Sequence, residues 1–293
     1  MKVAIFGQAF YPDSAKYLQQ IIKVFRSRKI KFLFQKQYLE LINSNQFLSN
    51  TENYKIFETI DESYDLFFSL GGDGTILSSV KYVKDFDIPI VGINTGRLGF
   101  LATIHKDEVS SSIKDILDGK YYVSERSLLH VSTSSEDFNK EKFRYALNEV
   151  AIGRKDTTSM ITVDTWVDEE HVGAYWSDGL IIATPTGSTG YSLSCGGPVI
   201  SPQTKAVVLT PIAPHNLNAR PLVVPNQTDI RLKVSGRESH FLISMDSRIH
   251  TLPHDCEIRI TKADFNIKLV SHLQNSFLKT LRTKLLWGED QRN

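Results

Sequence analysis

The sequence predicts an α/β N-terminal domain with a Rossmann-like parallel sheet, followed by an all-β, sandwich-like C-terminal domain. Three observations carry this expectation. Over the first hundred residues, short strands that are apolar on both faces alternate with amphipathic helical stretches, the pattern of a parallel sheet covered by helices. From about Tyr121 the texture changes to short β segments divided by turn residues. The length, 293 residues, suits one large domain or two ordinary ones. The expected division is 1–104 for the α/β domain and 105–271 for the β-rich domain, its opening helix at 106–118. The stretch 272–293 is a last helix packing back on the first domain.

Taken in order, "KVAIF" is strand-like, and Asp13 or Ser14 can cap a helix bearing Tyr17, Ile21, Val24 and Phe25 at helical spacing. "KFLF" (31–34), "DLFFSL" and "IPIVGI" are further strands, the last two separated by a helix from Thr75 to about Lys84. "HKDEVSSSIKDILDG" places Val109, Ile113, Ile116 and Leu117 on one helical face, with Gly119 at its end. The β half includes "YYVSERSLLHVSTSS", "FRYALNEVAIG", "MITVDTWVD", "DGLIIATP", "AVVLTPI", "IRLKVSG", "HFLISMD", "CEIRITKA" and "FNIKLVS". "SSEDFNKEKF" (134–143) has the composition of a solvated hairpin connection. The end turns helical, with Phe277, Leu278, Leu281, Leu285 and Leu286 as its apolar stripe.

Composition narrows the partners. Hydrophobic content of 41% and charged content of 23% belong to a soluble globular chain. A net charge of +1 offers no basic field for nucleic acid. Cys195 and Cys256 form no CxxC pair, which fits a reducing compartment. The N-terminus lacks the long apolar region of a secretory signal, and no apolar run approaches the ~18 residues of a membrane span. A cytoplasmic protein without a membrane partner is expected.

Four stretches carry chemistry. In "GGDGT", Gly71 and Gly72 follow a strand and let backbone amides approach a ligand, and Thr75 opens a helix whose N-terminus favours anions. Asp73 would repel bare phosphate. It makes sense if a divalent cation screens the phosphates, or if it takes a proton from an attacking hydroxyl; as a plain helix cap it would be only structural. "GINTGRLGFLA" sets Asn94, Gly96, Arg97, Gly99 and Phe100 at the carboxyl end of the next strand, where open α/β sheets bind ligands. Arg97 suits phosphate and Phe100 suits a base; a glycine-rich hinge is the bland alternative. "ALNEVAIG" puts Asn148 and Glu149 in an apolar strand, where they suit ribose hydroxyls or a neighbouring loop. The segment from Tyr175 to Pro202 holds Asp178 and a turn rich in hydroxyls, with Thr186, Ser188, Thr189, Ser192 and the aromatic Tyr191. His250 and His254 do not make a metal site, because Pro253 breaks any helix that would align them.

Together these stretches resemble the NAD kinase family, nearly end to end: "GGDGT", "NTGRLGFL", "NEV", "SDGLIIATPTGSTGYSLSCGGPVISP", "PIAPHNLNARPLVV" and "FLKTLRTKLLWG". "GGDGT" alone is shared with diacylglycerol and sphingosine kinases; the long "SDG…GGP" block with "PHNLNARPLV" is specific. The resemblance implies phosphorylation of NAD at the 2′-hydroxyl of the adenosine ribose, with ATP or a similar donor and a divalent cation such as Mg²⁺. It implies Asp73 as the proton acceptor and, around the substrate, Gly74, Phe100, Asn148, Glu149, Asp178, Thr189, Gly190, Tyr191, Ser192, Leu193, Ser194 and Ala213. For the donor phosphates it points to Gly71, Gly72, Thr75, Arg97 and Arg248, and to no protein metal ligands. A homodimer or homotetramer is implied as well. Gly190 stands where many members have Ala, Ser78 where a basic residue is frequent, Arg248 near a position often held by Gln, and Trp176 where smaller or basic residues also occur. These departures bear on donor preference and on NAD against NADH. A non-catalytic dinucleotide sensor and a lipid kinase are the alternatives.

Overall fold

A computed structural model describes residues 1–10, 14–45, 53–96, 99–156, 159–273 and 276–286. The chain divides into two compact units, Met1–Glu125 together with the chain from Ile267, and Arg126–Asn266.

The first unit opens with β1 (Lys2–Gly7), α1 (Ser14–Ser27), β2 (Lys31–Gln35), α2 (Lys36–Ser44) and β3 (Ile56–Phe57). It continues through β4 (Leu66–Leu70), α3 (Asp73–Val83), β5 (Ile90–Asn94), β6 (Ile104–His105) and α4 (Val109–Leu117). The strands pair in parallel in the order β3-β2-β1-β4-β5, with β6 beyond β5. One face of the sheet, through Val3, Ile5, Phe34, Phe68 and Val91, shares a core with Ile21 and Phe25 of α1 and Ile113 and Ile116 of α4. The other face takes α3: the Tyr82 ring lies 5.1 Å from Phe6 and 6.1 Å from Phe67. Gly92 is there because a Cβ would stand 2.5 Å from Ile76 Cδ1. The chain builds outward from β1 to β3, then returns to add β4 on the other side of β1. The strand order therefore reverses between β1 and β4, and in open α/β sheets the crevice at such a reversal is where ligands bind. What leaves those two strand ends is Gly7-Gln8 and "GGDGT".

The second unit holds β7 (Tyr121–Thr133) from Arg126 onward, α5 (Glu136–Asn139), β8 (Tyr145–Ala146), β9 (Glu149–Arg154), β10 (Ile161–Val167), β11 (Glu170–Ser177) and β12 (Gly179–Ala183). Next come α6 (Tyr191–Ser194), β13 (Ala206–Ile212), β14 (Leu222–Pro225), β15 (Ile230–Gly236), β16 (His240–Met245), β17 (Arg248–Pro253) and β18 (Glu257–His272). An antiparallel sheet β14-β13-β12-β9-β16-β17 and a second antiparallel set β11-β10-β15-β18 share one apolar core. Val150, Ile182, Leu209 and Phe241 come from the first, and Val163, Leu232 and Ile258 from the second. This is a β-sandwich. The last residues of β18 belong to the α/β unit, where Leu269 and Val270 pair in parallel with β5, and α7 (Phe277–Leu285) follows.

Several elements differ from expectation. "CEIRITKA" and "FNIKLVS" are one 16-residue strand, β18. The connection 134–143 is not wholly solvated, since it folds into α5 and buries Phe138 at 3% exposure. α3 starts at Asp73, two residues before Thr75. In α7 only Leu281 is buried; Leu278 is 68% exposed, and Leu286 lies past the helix end in the left-handed region at φ 51°. Asp13 lies outside the described residues, and α1 begins at Ser14.

Candidate active site

Where β4 ends, the chain turns at Gly71, whose φ of 151° favours glycine, and its amide donates to the Ile93 carbonyl at 2.9 Å. A Cβ there would stand 2.2 Å from Thr75 Oγ1, which is itself buried. Gly72 and Gly74 face open space, so their backbone is accessible. Asp73 occupies the first turn of α3 but does not cap it: Gly72 is the N-cap, with no side-chain bond. Instead the carboxylate reaches across to the loop after β5. Phe100 N–H donates to Oδ2 at 2.7 Å, and Leu101 and Ala102 N–H both donate to Oδ1 at 3.0 Å. A Cβ on Gly99 would fall 1.8 Å from Oδ1, so the clamp needs glycine at that position. The two glycine-bearing stretches singled out in the sequence thus meet at one carboxylate. Asn94, fully buried, holds the same loop through Gly96 N–H at 2.8 Å. Arg97 lies outside the described residues. The Phe100 ring is half-buried, 6.5 Å from Phe277, and Lys284 Nζ stands 4.9 Å over it, so α7 supports this loop.

In the β unit a second carboxylate repeats the device. Asp246, in the left-handed region at φ 53°, takes Leu147 N–H on Oδ2 at 3.0 Å and Asn148 and Glu149 N–H on Oδ1 at 2.8 and 3.3 Å. Asn148 therefore precedes β9 rather than lying within it, and Glu149 opens the strand. Asn148 Oδ1 and Glu149 Oε2 are buried and without a hydrogen-bond partner. Burying such acceptors unpaired costs about 1–3 kcal/mol each, so two side by side mark a place prepared for donors. Burial, with the Asp246 carboxylate adding to it, pushes Glu149 up to about 7, against the Tyr191 backbone N–H that it accepts. Gly190 packs against both side chains: a Cβ there would come 2.9 Å from Glu149 Oε2 and 3.4 Å from Asn148 Nδ2.

The hydroxyl-rich turn is less available than its composition suggests. Ser188 and Ser192 are fully buried and Thr186 nearly so. Ser188 Oγ donates to the Pro185 carbonyl at 2.7 Å and accepts Ile200 N–H at 2.9 Å. Ser192 Oγ pairs with Thr210 Oγ1 at 2.8 Å, and Thr189 Oγ1 donates to the Thr186 carbonyl at 3.2 Å. These side chains hold the turn's shape. Tyr191 and Ser194 are exposed, and Leu193 is half-buried. Asp178 pairs with Arg154 Nε at 3.2 Å, and both line a cleft of about 390 Å³ with Tyr191, Ile212, Ser244 and Ile249. Ala213 follows at φ 43°, exposed. The Arg248 guanidinium donates to the Phe143 and Tyr145 carbonyls and stacks on Phe143 at 4.9 Å, so part of its donor set is committed to the protein's own backbone. Ser78 accepts Gln8 Nε2 at 2.6 Å. Sequence reasoning missed Asp246, although a lone acid ending the apolar run "HFLISM" was its signal. Among the described residues, no group of three or more His, Cys, Asp or Glu is placed to hold a metal ion.

Residues 14–121 match the model of the ATP-NAD kinase N-terminal domain, and residues 147–272 that of the ATP-NAD kinase C-terminal domain. The chain belongs to the NAD kinase family. It is 54% identical to the NAD kinase of Christiangramia forsetii and 45% identical to that of Flavobacterium johnsoniae, over the full length of both partners in each case. Among solved structures, yeast NADH kinase complexed with NADH superposes with a TM-score of 0.85 at 25% identity, covering 99% of this chain and 88% of that one. The NAD kinase from Archaeoglobus fulgidus in complex with ATP gives 0.73 at 27% identity, covering 97% of each chain. As an NAD kinase, this chain carries the family's two-part architecture, α/β unit followed by β-sandwich. No described helix is long and apolar enough to cross a membrane.

Proposed function

We propose that this NAD kinase transfers the terminal phosphate of ATP to the 2′-hydroxyl of the adenosine ribose of NAD, giving NADP and ADP, with Asp73 as the general base. The observation that carries the reading is the clamp on Asp73. A carboxylate offers about four lone-pair sites. The three loop amides fill both sites of Oδ1 and one of Oδ2. The remaining site on Oδ2 accepts the ribose proton as the hydroxyl oxygen bonds to the terminal phosphorus and the bridging bond breaks, ADP leaving with the electron pair. Gly72 and Gly74 are exposed at the positive end of α3 with free space beside them, which suits the developing phosphate charge. Asn148 and Glu149, with their orphaned acceptors, take hydroxyl donors of the dinucleotide, and Asp178 and Tyr191 line its cleft.

A divalent cation such as Mg²⁺ supplies charge screening of the donor phosphates. The donor set fits a cation that enters on the nucleotide, since in such sites substrate phosphates and water supply most ligands and the carboxylate here is already committed to amides. A cytoplasmic homo-oligomer is part of the same reading.

The test is to incubate the protein with NAD, ATP and Mg²⁺ and follow NADP, in wild type and Asp73→Asn. The variant should keep NAD affinity and lose turnover by ~10²-fold or more. Turning an amide NH₂ toward one of the loop amides should also cost about 1–3 kcal/mol of stability. Near-wild-type turnover in Asp73→Asn overturns the base assignment. A wild-type protein that binds NAD but makes no NADP with any donor is a sensor instead.

A further inference from the structure

The α/β unit contains a pocket of about 220 Å³ that none of the dinucleotide contacts uses. It opens where β1 and β2 end, between α2 and α3, and its polar and aromatic walls are Gln8, Gln35, Gln37, Tyr38, Lys81 and Tyr82. Its volume is below the roughly 300–1,000 Å³ of sites that enclose a whole ligand, so it takes one ring system. Gly7 lets the strand end lie against the Tyr38 ring, where a Cβ would come within 2.4 Å.

The side chains are arranged, not loose. Gln35 is 4% exposed; its Oε1 caps α2 through Tyr38 N–H at 2.8 Å, and its Nε2 reaches Gln37 Oε1 at 3.4 Å. That leaves the Gln37 amide nitrogen as a donor at the pocket wall. Gln8 spends its Nε2 on Ser78 of α3, leaving its Oε1 as an acceptor. A wall offering both a donor and an acceptor matches the edge of a nucleobase, which carries both. Among the described residues, no carboxylate lines the pocket and Lys81 is its only cation. Neutral amides and aromatic rings suit a flat, uncharged heterocycle better than a polyphosphate. Lys81, with Nζ 5.2 Å from the Tyr82 ring, suits the phosphates attached to it.

Position points the same way. The pocket flanks the strand-order reversal between β1 and β4, and Gln8 ties its rim to the helix that Asp73 opens. Lys81 lies eight residues along α3 from Asp73, about 12 Å at the helical rise, a span that a ribose and three linked phosphates cover. We propose that this pocket holds the nucleobase of the phosphate donor, with the triphosphate running beside α3 to the "GGDGT" loop. The proposal rests on the kinase reading above.

The test compares wild type with Gln37→Ala and Lys81→Ala, both exposed positions, after thermal melting curves have been overlaid. ATP and inorganic tripolyphosphate binding, each with Mg²⁺, are measured by calorimetry, and KM for ATP and for NAD by NADP formation. Gln37→Ala should weaken ATP binding and raise KM for ATP by about tenfold, while tripolyphosphate affinity and KM for NAD stay within twofold. Lys81→Ala should weaken both ATP and tripolyphosphate. ATP binding within twofold of wild type in both variants overturns the proposal, as does an equal loss of ATP and tripolyphosphate in Gln37→Ala. If wild type makes no NADP, the kinase reading falls, yet the calorimetry still decides whether the pocket holds a nucleoside.

Discussion

Replacing Glu149 with Gln should stabilise the β unit at pH 8 and leave it unchanged at pH 4. Glu149 is 8% exposed, one of its oxygens has no partner, and burial beside Asp246 raises it from an ordinary 4.5 to about 7. A carboxyl raised in the folded state holds its proton where the unfolded chain has already released it. The stability this lends is complete below about pH 4.5 and is lost as pH rises toward 7. The difference of 7 and 4.5 is about 2.5 pH units, and at about 1.4 kcal/mol per unit the native state loses about 3 kcal/mol by pH 8. Gln is neutral throughout and keeps an acceptor for Tyr191 N–H, so it should recover about 1–3 kcal/mol of that loss.

The assay is urea unfolding of both proteins from pH 4 to pH 8. It is followed by tryptophan fluorescence, since Trp166 and Trp176 both sit in the β unit. Asp246, also raised by its burial, repels the Glu149 charge, so the pH dependence of the difference reports the pair rather than Glu149 alone. The two stabilities should meet near pH 4, separate as pH rises from about 4.5 to 7, and keep a constant gap above that. An offset that is constant from pH 4 to pH 8, or a variant less stable at pH 8, refutes the account of Glu149 as a carboxylate kept costly. The gain should come with weaker NAD binding, because the orphaned acceptor is what a ribose hydroxyl would satisfy.

Two further outcomes follow from the clamps. Gly99→Ala drives a methyl toward Asp73 Oδ1, where the ideal Cβ distance is 1.8 Å, so the loop must shift. Stability should fall by about 1–3 kcal/mol and turnover at least about tenfold; steady-state kinetics at wild-type level would count against the clamp as part of the catalytic geometry. Arg248→Ala should cost about 1.5–3 kcal/mol in thermal or urea unfolding, since the Phe143 and Tyr145 carbonyls lose a charged donor, with KM for ATP within twofold. A tenfold rise in that KM would instead mark Arg248 as a contact of the phosphate donor.

The architecture was legible because its signals are local. Two-sided apolar strands alternating with helices gave the parallel sheet, and the change at Tyr121 gave the β half. α2 escaped notice although Tyr38 and Ile42 stand at helical spacing, because nine residues sit between two strands and Gln35 is an unusual cap. The "GGDGT" turn and the Asn148–Glu149 pair were legible as chemistry, but their partners were not. Asp73 bonds to amides 27 to 29 residues away, and Asp246 to amides 97 to 99 residues away. No periodicity encodes such pairings. The same limit applied to Ser188, Ser192 and Arg248, whose residue types promise ligand contacts and whose folded partners are the protein's own carbonyls, amides and hydroxyls.

The two clamps explain why carboxylates stand in loops suited to anions. Asp73 and Asp246 each gather three consecutive backbone amides that would otherwise lie unpaired at a strand end or loop. Asp246 spends its carboxylate on the register of 147–149, and thereby on where Asn148 and Glu149 point. Asp73 fixes 100–102 in the same way but sits at the start of a helix beside exposed glycines, and the clamp uses only one of the two lone pairs on Oδ2. On the proposed reading, in which Asp73 is the base, the three amides keep it from wandering. Its remaining lone pair has a fixed direction before substrate arrives, and that preorganisation is worth more to a proton transfer than a freely rotating acid of the same strength. An aspartate in "GGDGT" is therefore consistent with a phosphate loop, provided its charge is spent on the protein's own backbone rather than turned on the donor.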